Sequence, residues 1–361
     1  VAGRRVTLAD VARAAAVSST TASLVLSGRG GELRISEAVQ DRVRSAAAEL
    51  GYRPNIVSRG LRQGSSRSIG LVSDTVATSQ LAGDMIKGAI DEARTADYTL
   101  IIGETEGDPA VERRLLESMH DRQVDGILLA SMYTRTREVP EALDDVPTVL
   151  LNTLPAGDGL HLPAVVPDEL EAGRAAARLL LETGHRAIHL IGAGPGPRDV
   201  PPGTVAGDER LAGILEVLGA AGVAAASGRV CYEWLPPDGY RATRAILERA
   251  GSYDPGTALA ILTFNDRLAF GAYQAIQEAG LRVPDDVSVV SFDDAPLAAW
   301  LRPGLTTFAL PHDELGRRAV RMLLGLIDAR GPAGDQGGGP GGDTVVRLPM
   351  PLVTRGSVRG R

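Results

Sequence analysis

Ser18, Ser19, Thr20 and Thr21, followed by Ser23, place a run of short hydroxyl side chains at the start of an apolar-periodic segment. Hydroxyls of this size on the first turn of a helix can enter a DNA major groove and bond base edges. Arg4, Arg5, Arg53, Arg59 and Arg62 surround that segment in sequence and offer salt-sensitive attraction to phosphates. Catalytic patterns are weaker. His120, His161, His185, His189 and His312 are scattered without metal-ligand spacing, and no Ser/His/Asp grouping stands out. The stretch Gly192-Ala193-Gly194-Pro195-Gly196-Pro197 has the look of a phosphate loop, but its glycine spacing fails and its prolines remove backbone donors. The expectation is a protein that binds rather than catalyses, with no metal and no cofactor.

Three short helices must position the hydroxyls. Thr7 and Asp10 form a capping-box-like pair, and Leu8, Val11, Ala12 and Ala15 follow on one face. Ser18 caps a second helix with Ala22, Val25 and Leu26 turned inward, which leaves Ser19, Thr20 and Ser23 outward. A third helix runs from Ser36 with Val39, Val43, Ala47 and Leu50 as its stripe and Gly51 at its end. An ordinary helical hairpin packed on a larger domain has the same periodicity, and charge argues against it. Residues 1 to 67 hold 11 Arg against 5 acidic residues, a net +6, whereas the rest holds 27 basic and 40 acidic residues, a net −13. A basic head on an acidic body fits one end that meets nucleic acid and one that does not.

At 361 residues the chain is too long for one compact core. Its single cysteine, Cys231, excludes an internal disulfide and reads as a small packing residue. Neither an N-terminal apolar signal core nor an 18-residue apolar run occurs, so a cytoplasmic protein that does not cross a membrane is expected. From Ser68 onward apolar strand-like runs (69–72, 99–102, 126–129, 148–151, 187–191, 259–262, 287–291) alternate with amphipathic helices (81–95, 110–122, 169–183, 205–221, 240–250, 266–279). That alternation predicts parallel sheets covered by helices, with ligands at the carboxyl ends of the strands.

The order Val6-Thr7-Leu8-Ala9-Asp10-Val11-Ala12, Val17-Ser18, Leu50-Gly51-Tyr52-Arg53-Pro54-Asn55 and Ser68-Ile69-Gly70-Leu71-Val72 resembles the LacI/GalR family of bacterial repressors. The likeness continues to the C-terminus. It implies an all-α helix-turn-helix head (1–53), a hinge helix and linker (54–67), and an α/β effector domain like periplasmic binding proteins, built from two Rossmann-like subdomains. These are expected at 68–163 with 296–330, and at 164–295 with 344–358, the Gly/Pro-rich stretch 331–343 being a surface loop. Thr7, Ser18, Ser19, Thr20, Thr21, Ser23, Arg53, Asn55, Arg59, Leu61 and Arg62 become the DNA-contacting set. Leu61 stands where the family wedges a leucine into the minor groove of a near-palindromic operator.

The resemblance also implies a cleft for a small sugar-like effector. Its candidate contacts are Thr78, Ser79, Gln80 and Asp84 after the first strand, Asn152 ending another, and Arg210 in the pattern Arg210-Leu211-Ala212-Gly213. Trp234, Asn265 and Asp293 complete the set. An indole face covers the C–H face of a pyranose while charged and amide groups hold its hydroxyls. The residues themselves leave Arg210 open as a surface ion-pair partner and Trp234 as core, while Asp266 and Asp294 read as structural. Three departures from the family stand out: Ala16 occupies a turn position usually held by glycine, Leu24 stands at a base-reading position, and the loop 28–34 is long. The implied protein is a homodimeric repressor of sugar-utilisation genes, a dimer because no heptad-like helix follows Val358. A solute receptor of the periplasmic type without DNA function is the alternative.

Overall fold

A computed structural model of the chain describes residues 6–52, 65–79, 82–157, 162–249, 259–330 and 345–360, divided into two compact units at Arg67/Ser68. Arg53, Asn55, Arg59, Leu61 and Arg62, Gln80, and the expected surface loop 331–343 lie outside the described residues, as does most of the expected hinge.

The first unit contains α1 (Leu8–Ala14), α2 (Ser19–Leu26) and α3 (Glu37–Glu49). The Thr7 amide donates to Asp10 Oδ2 at 2.9 Å and the Asp10 amide returns to Thr7 Oγ1 at 3.4 Å, closing the capping box. Ser18 Oγ accepts the Thr21 amide at 3.0 Å and caps α2. Val11, Ala12, Ala15, Ala22, Val25, Val43, Ala46 and Ala47 form the miniature core. On α3 the buried stripe differs from the expected one: Ala46 joins it, while Leu50 is 38% exposed. The helix ends at that point, and Gly51, at φ 64°, turns the chain away.

Among the described residues of the second unit, twelve strands make two six-stranded sheets. The first holds β1 (Ser68–Ser73), β2 (Thr99–Glu104), β3 (Gly126–Arg137), β4 (Thr148–Pro155), β5 (Ala164–Pro167) and β11 (Val345–Leu348), in the order β11-β5-β4-β3-β1-β2. The second holds β6 (Ile188–Gly192), β7 (Ser227–Val230), β8 (Leu259–Thr263), β9 (Val287–Asp293), β10 (Thr306–Ala309) and β12 (Leu352–Val353), in the order β12-β10-β9-β8-β6-β7. All pairings are parallel except β10 with β12. Strands such as β1 and β8 are almost wholly buried, and they read as continuous apolar runs because helices cover both faces.

The helices of this unit are α4 (Gly83–Thr95), α5 (Pro109–Asp121), α6 (Glu169–Glu182), α7 (Val205–Ala220), α8 (Pro236–Arg249), α9 (Asp266–Glu278), α10 (Pro296–Trp300) and α11 (His312–Ala329). Three pairs, α4 with α11, α6 with α7 and α8 with α9, pack most extensively. Each pair meets at reciprocal glycines. A Cβ on Gly88 would lie 2.0 Å from the Asp313 carbonyl and one on Gly316 2.0 Å from that of Met85; Gly173 with Gly213, and Gly239 with Gly271, repeat the device.

The subdomain limits differ from those read in the sequence at three places. β5 pairs with β4, so residues 164–167 belong to the first sheet; β10 pairs with β9, so 306–309 belong to the second; β11 pairs with β5, so 345–348 return to the first. The chain therefore crosses between lobes near 168, 310 and 350. Strands of only four residues leave too little periodicity to assign them locally. Helix α8 also starts four residues before the expected Tyr240, because Pro236 and Pro237 occupy a first turn, where no backbone donor is required.

Candidate functional site

A cavity of about 600 Å³ opens between the two lobes at the carboxyl ends of the strands. Both sheets share the order 2-1-3-4-5 in their own strands, so loops diverge there on each side and leave a crevice. Of the expected effector contacts, Asp84, Asn152, Arg210, Trp234, Asn265 and Asp293 line it. Thr78 and Ser79 do not. The amides of Ala77 and Thr78 bond Glu104 Oε1 at 2.7 and 3.3 Å, which ties their loop to the end of β2.

Arg210, on α7, is 2% exposed and forms the floor. Its Nε and Nη2 meet Glu169 Oε2 and Oε1 at 2.5 and 3.0 Å, and Nη1 donates to the Phe264 carbonyl. Asp293 Oδ1 stands 3.8 Å from Nη2, and the guanidinium lies 4.7 Å from the centre of the Phe292 ring. Glu169, the first residue of α6 directly after a crossover, was not singled out from the sequence. No motif marks it, because its partner lies 41 positions away.

Four lining residues sit in left-handed backbone conformations: Asn152 at φ 54°, Trp234 at φ 52°, Asp293 at φ 114° and Asp294 at φ 53°. Such strain in non-glycine residues clusters at binding sites. Hydrogen bonds hold each one. Asn152 accepts from Thr134 Oγ1 at 2.7 Å and donates to the Ser131 carbonyl at 3.1 Å. The Trp234 indole donates to the Gly192 carbonyl at 3.3 Å and meets Phe264 edge-on, at 5.7 Å between ring centres. The Trp234 carbonyl in turn accepts Asn265 Nδ2 at 3.1 Å, while Asn265 Oδ1 caps α9 through the Leu268 amide at 2.8 Å. The Asp293 carbonyl accepts the Leu310 amide at 3.1 Å, joining the cavity to a crossover.

Burial pushes the Asp293 carboxyl up to about 8, against the pull of Arg210. Asp266 is raised to about 6 by burial and is fully used structurally, accepting Thr307 Oγ1 and the Ala295 amide at 2.8 Å each. His312, also lining the cavity, is lowered by burial and so is neutral near pH 7. Burial raises the Cys231 thiol to about 11, which suits packing rather than reactivity. Sequence reading missed two exposed tyrosines at the cavity. Tyr133 comes from β3 of one lobe and Tyr232 from the loop before α8 of the other, 50% and 77% exposed.

On the first unit, Thr7, Ser18, Ser19 and Thr20 are exposed, and Thr21 and Ser23 are half-buried. Ser18 Oγ and Thr21 Oγ1 are 2.8 Å apart, so part of their hydrogen-bonding capacity serves the cap. Leu24 is half-buried on the same helix, and Ala16 has φ 51° in the turn before it.

A helix-turn-helix unit joined in one chain to a two-lobed α/β clamshell defines a class: DNA-binding regulators that sense a small molecule. Residues 7–55 match the bacterial regulatory proteins of the lacI family, and residues 177–358 match the periplasmic binding protein-like domain. The chain belongs to the lacI family. It is 32% identical over 331 residues to the ribose operon repressor of Escherichia coli (strain K12), spanning 89% of this chain and 93% of that one. It is 33% identical over 330 residues to the HTH-type transcriptional repressor PurR of Escherichia coli O139:H28, spanning 89% and 90%. Among solved structures it resembles the lac repressor dimer bound to operator and the anti-inducer ONPF, with TM-score 0.78 and 25% identity over 98% of this chain and 99% of that one. It also resembles a complex of the transcriptional regulator CelR with cellobiose, with TM-score 0.65 and 28% identity over 98% and 100%. The protein is thus a DNA-binding transcriptional repressor with an effector-binding domain, in a family that is not enzymatic. Among the described residues no helix is long and apolar enough to cross a membrane, and no group of His, Cys, Asp or Glu is arranged to hold a metal ion.

Proposed function

We propose that this chain represses sugar-utilisation genes in the cytoplasm, binding a near-palindromic operator as a homodimer and answering to a sugar-like effector in the cleft. The observation that carries the reading is the lining of the cavity. Trp234 and Tyr133 offer apolar ring faces, while Asp293, Thr134 and Asp84 offer polar groups, a combination suited to a ring with C–H faces and hydroxyl edges. Two relatives point the same way by name, one a ribose operon repressor and the other solved with cellobiose.

On this reading Ser19 and Thr20 meet base edges, Arg53, Arg59 and Arg62 meet phosphates, and Leu61 wedges the operator centre with its partner copy. Subdomain limits near 168, 310 and 350 make the three crossovers the hinge of the clamshell. Closure on the effector changes how two first lobes sit against each other in the dimer, and with it the spacing of the heads.

A thermal-shift screen of ribose, glucose, galactose, cellobiose and a purine base tests the effector class, followed by gel shifts on the gene's own promoter region. A saccharide that raises Tm and changes the operator shift is expected. A larger Tm rise with the purine base than with any saccharide would replace the sugar reading. Absence of binding to every genomic fragment at low salt would favour a solute receptor.

A further inference from the structure

Building on the sugar reading of the cleft, we propose that the effector carries at least two linked sugar rings. An inner ring lies against Arg210, Asp293 and Trp234, and an outer one against Tyr133 and Tyr232 at the cleft mouth. Size is the first observation. A hexopyranose packed as in an organic crystal takes about 200 Å³, so a single ring leaves most of a cavity of about 600 Å³ unfilled.

Each lobe supplies three consecutive residues to the cavity wall, 132–134 from the first and 232–234 from the second. Successive side chains of a regular strand point to opposite faces, so three in a row line one space only where the backbone leaves that pattern. In the first lobe the departure is a bulge. β3 and β4 pair as far as Ala130 with Leu151, resume at Arg135 with Thr153, and leave residues 131–134 opposite Asn152. Asp74 fixes the bulge, accepting the Met132 amide at 2.9 Å and pairing with Arg135 Nη2 at 2.8 Å. The Arg135 guanidinium lies 5.7 Å from the centre of the Tyr133 ring and backs that exposed side chain. In the second lobe the departure is Trp234 itself, at φ 52°.

The three aromatic rings divide by depth. Trp234 is half-buried, edge-on to Phe264, with the Arg210 guanidinium 5.9 Å from its ring centre, which marks the inner position. Tyr133 and Tyr232 are exposed, and among the described residues neither belongs to a hydrophobic core cluster, so packing gives no reason for their rings. Two residues of chain reach at most about 7 Å, which sets Tyr232 about one sugar unit from Trp234 along the wall. Aromatic faces cover the C–H faces of sugar rings. Glu233 in the second lobe and Asp84 on α4 in the first offer carboxylate acceptors to the hydroxyls.

Calorimetry on the full chain tests this by comparing glucose and galactose with cellobiose, maltose, gentiobiose, isomaltose and lactose, and with adenosine. The tightest disaccharide should bind at least about tenfold more tightly than either of its monosaccharides. Tyr232→Ala should weaken that disaccharide at least about fivefold and its monosaccharides by less than about twofold, whereas Tyr232→Phe, which keeps the ring face, should stay within about twofold of the parent. Tyr133→Ala should weaken the same disaccharide to a similar degree. Both side chains are exposed, so Tm without ligand should stay within about 1 °C of the parent in each variant. A monosaccharide that binds as tightly as the best disaccharide overturns the two-ring assignment and leaves the sugar reading standing. Undiminished disaccharide binding in both alanine variants, or equal losses of mono- and disaccharide in Tyr232→Ala, overturns the outer position. Adenosine binding more tightly than every saccharide removes the sugar reading itself.

Discussion

Ala16 holds a left-handed conformation at φ 51° in the turn between α1 and α2. An alanine there costs about 1 kcal/mol relative to glycine. Ala16→Gly should therefore stabilise the head by about that amount, read as slower amide hydrogen exchange in α1–α3, and unchanged exchange would refute the strain. Asp293 carries a second residue-scale consequence. Its folded-state carboxyl sits at about 8 against 3.8 in an unperturbed chain, so the folded protein holds this proton more tightly. That contribution is present at acid pH and is lost as pH rises from about 4 to about 8. Asp293→Asn should flatten the decline of Tm between about pH 5 and 8 relative to the parent. Parallel Tm profiles for the two proteins would show that the carboxyl titrates normally.

At the scale of elements, the reciprocal glycines set how closely helices pair. On α11, Gly316 abuts the Met85 carbonyl at 2.0 Å from a would-be Cβ, whereas Gly325 on the same helix has nothing within 4 Å. Gly316→Ala should cost about 2–3 kcal/mol in urea unfolding through overpacking against backbone, which cannot move aside. Gly325→Ala should instead gain about 0.5–1 kcal/mol by restricting the unfolded chain. Similar effects from both changes would mean that α4 and α11 can slide apart freely. Rigid pairs of this kind suit lobes that move as bodies about their crossovers, with the Asp293 carbonyl bonded to Leu310 as one point where the cavity meets a crossover.

For the whole molecule, the proposed switch has DNA and effector act on one chain through states that differ in lobe closure, which makes their coupling reciprocal. The factor by which the effector changes operator affinity must equal the factor by which operator changes effector affinity. Fluorescence titrations of each ligand with and without the other measure both factors, and unequal values would show that a third equilibrium intervenes. If Leu61 is the proposed wedge, Leu61→Ala should weaken operator binding by at least about tenfold while leaving nonspecific binding nearly unchanged, because a wedge-stabilised bend belongs to the operator complex alone. Equal losses on both DNAs would remove the wedge.

Local chemistry made much of this protein legible in its sequence. Caps such as Thr7 with Asp10, the apolar periods of the long helices and the buried strands of both sheets are decided by neighbours within one or two turns, and the charge contrast between head and body needs no coordinates at all. What lies between distant segments was not legible. Assignment of β5, β10 and β11 to their sheets depends on pairing with strands up to about 180 residues away. The role of Arg210 depends likewise on a partner that no motif announces: the RLAG pattern marks it, and only the fold brings Glu169 against it. Periodicity records what a residue's own element needs, and packing alone determines which remote group satisfies it.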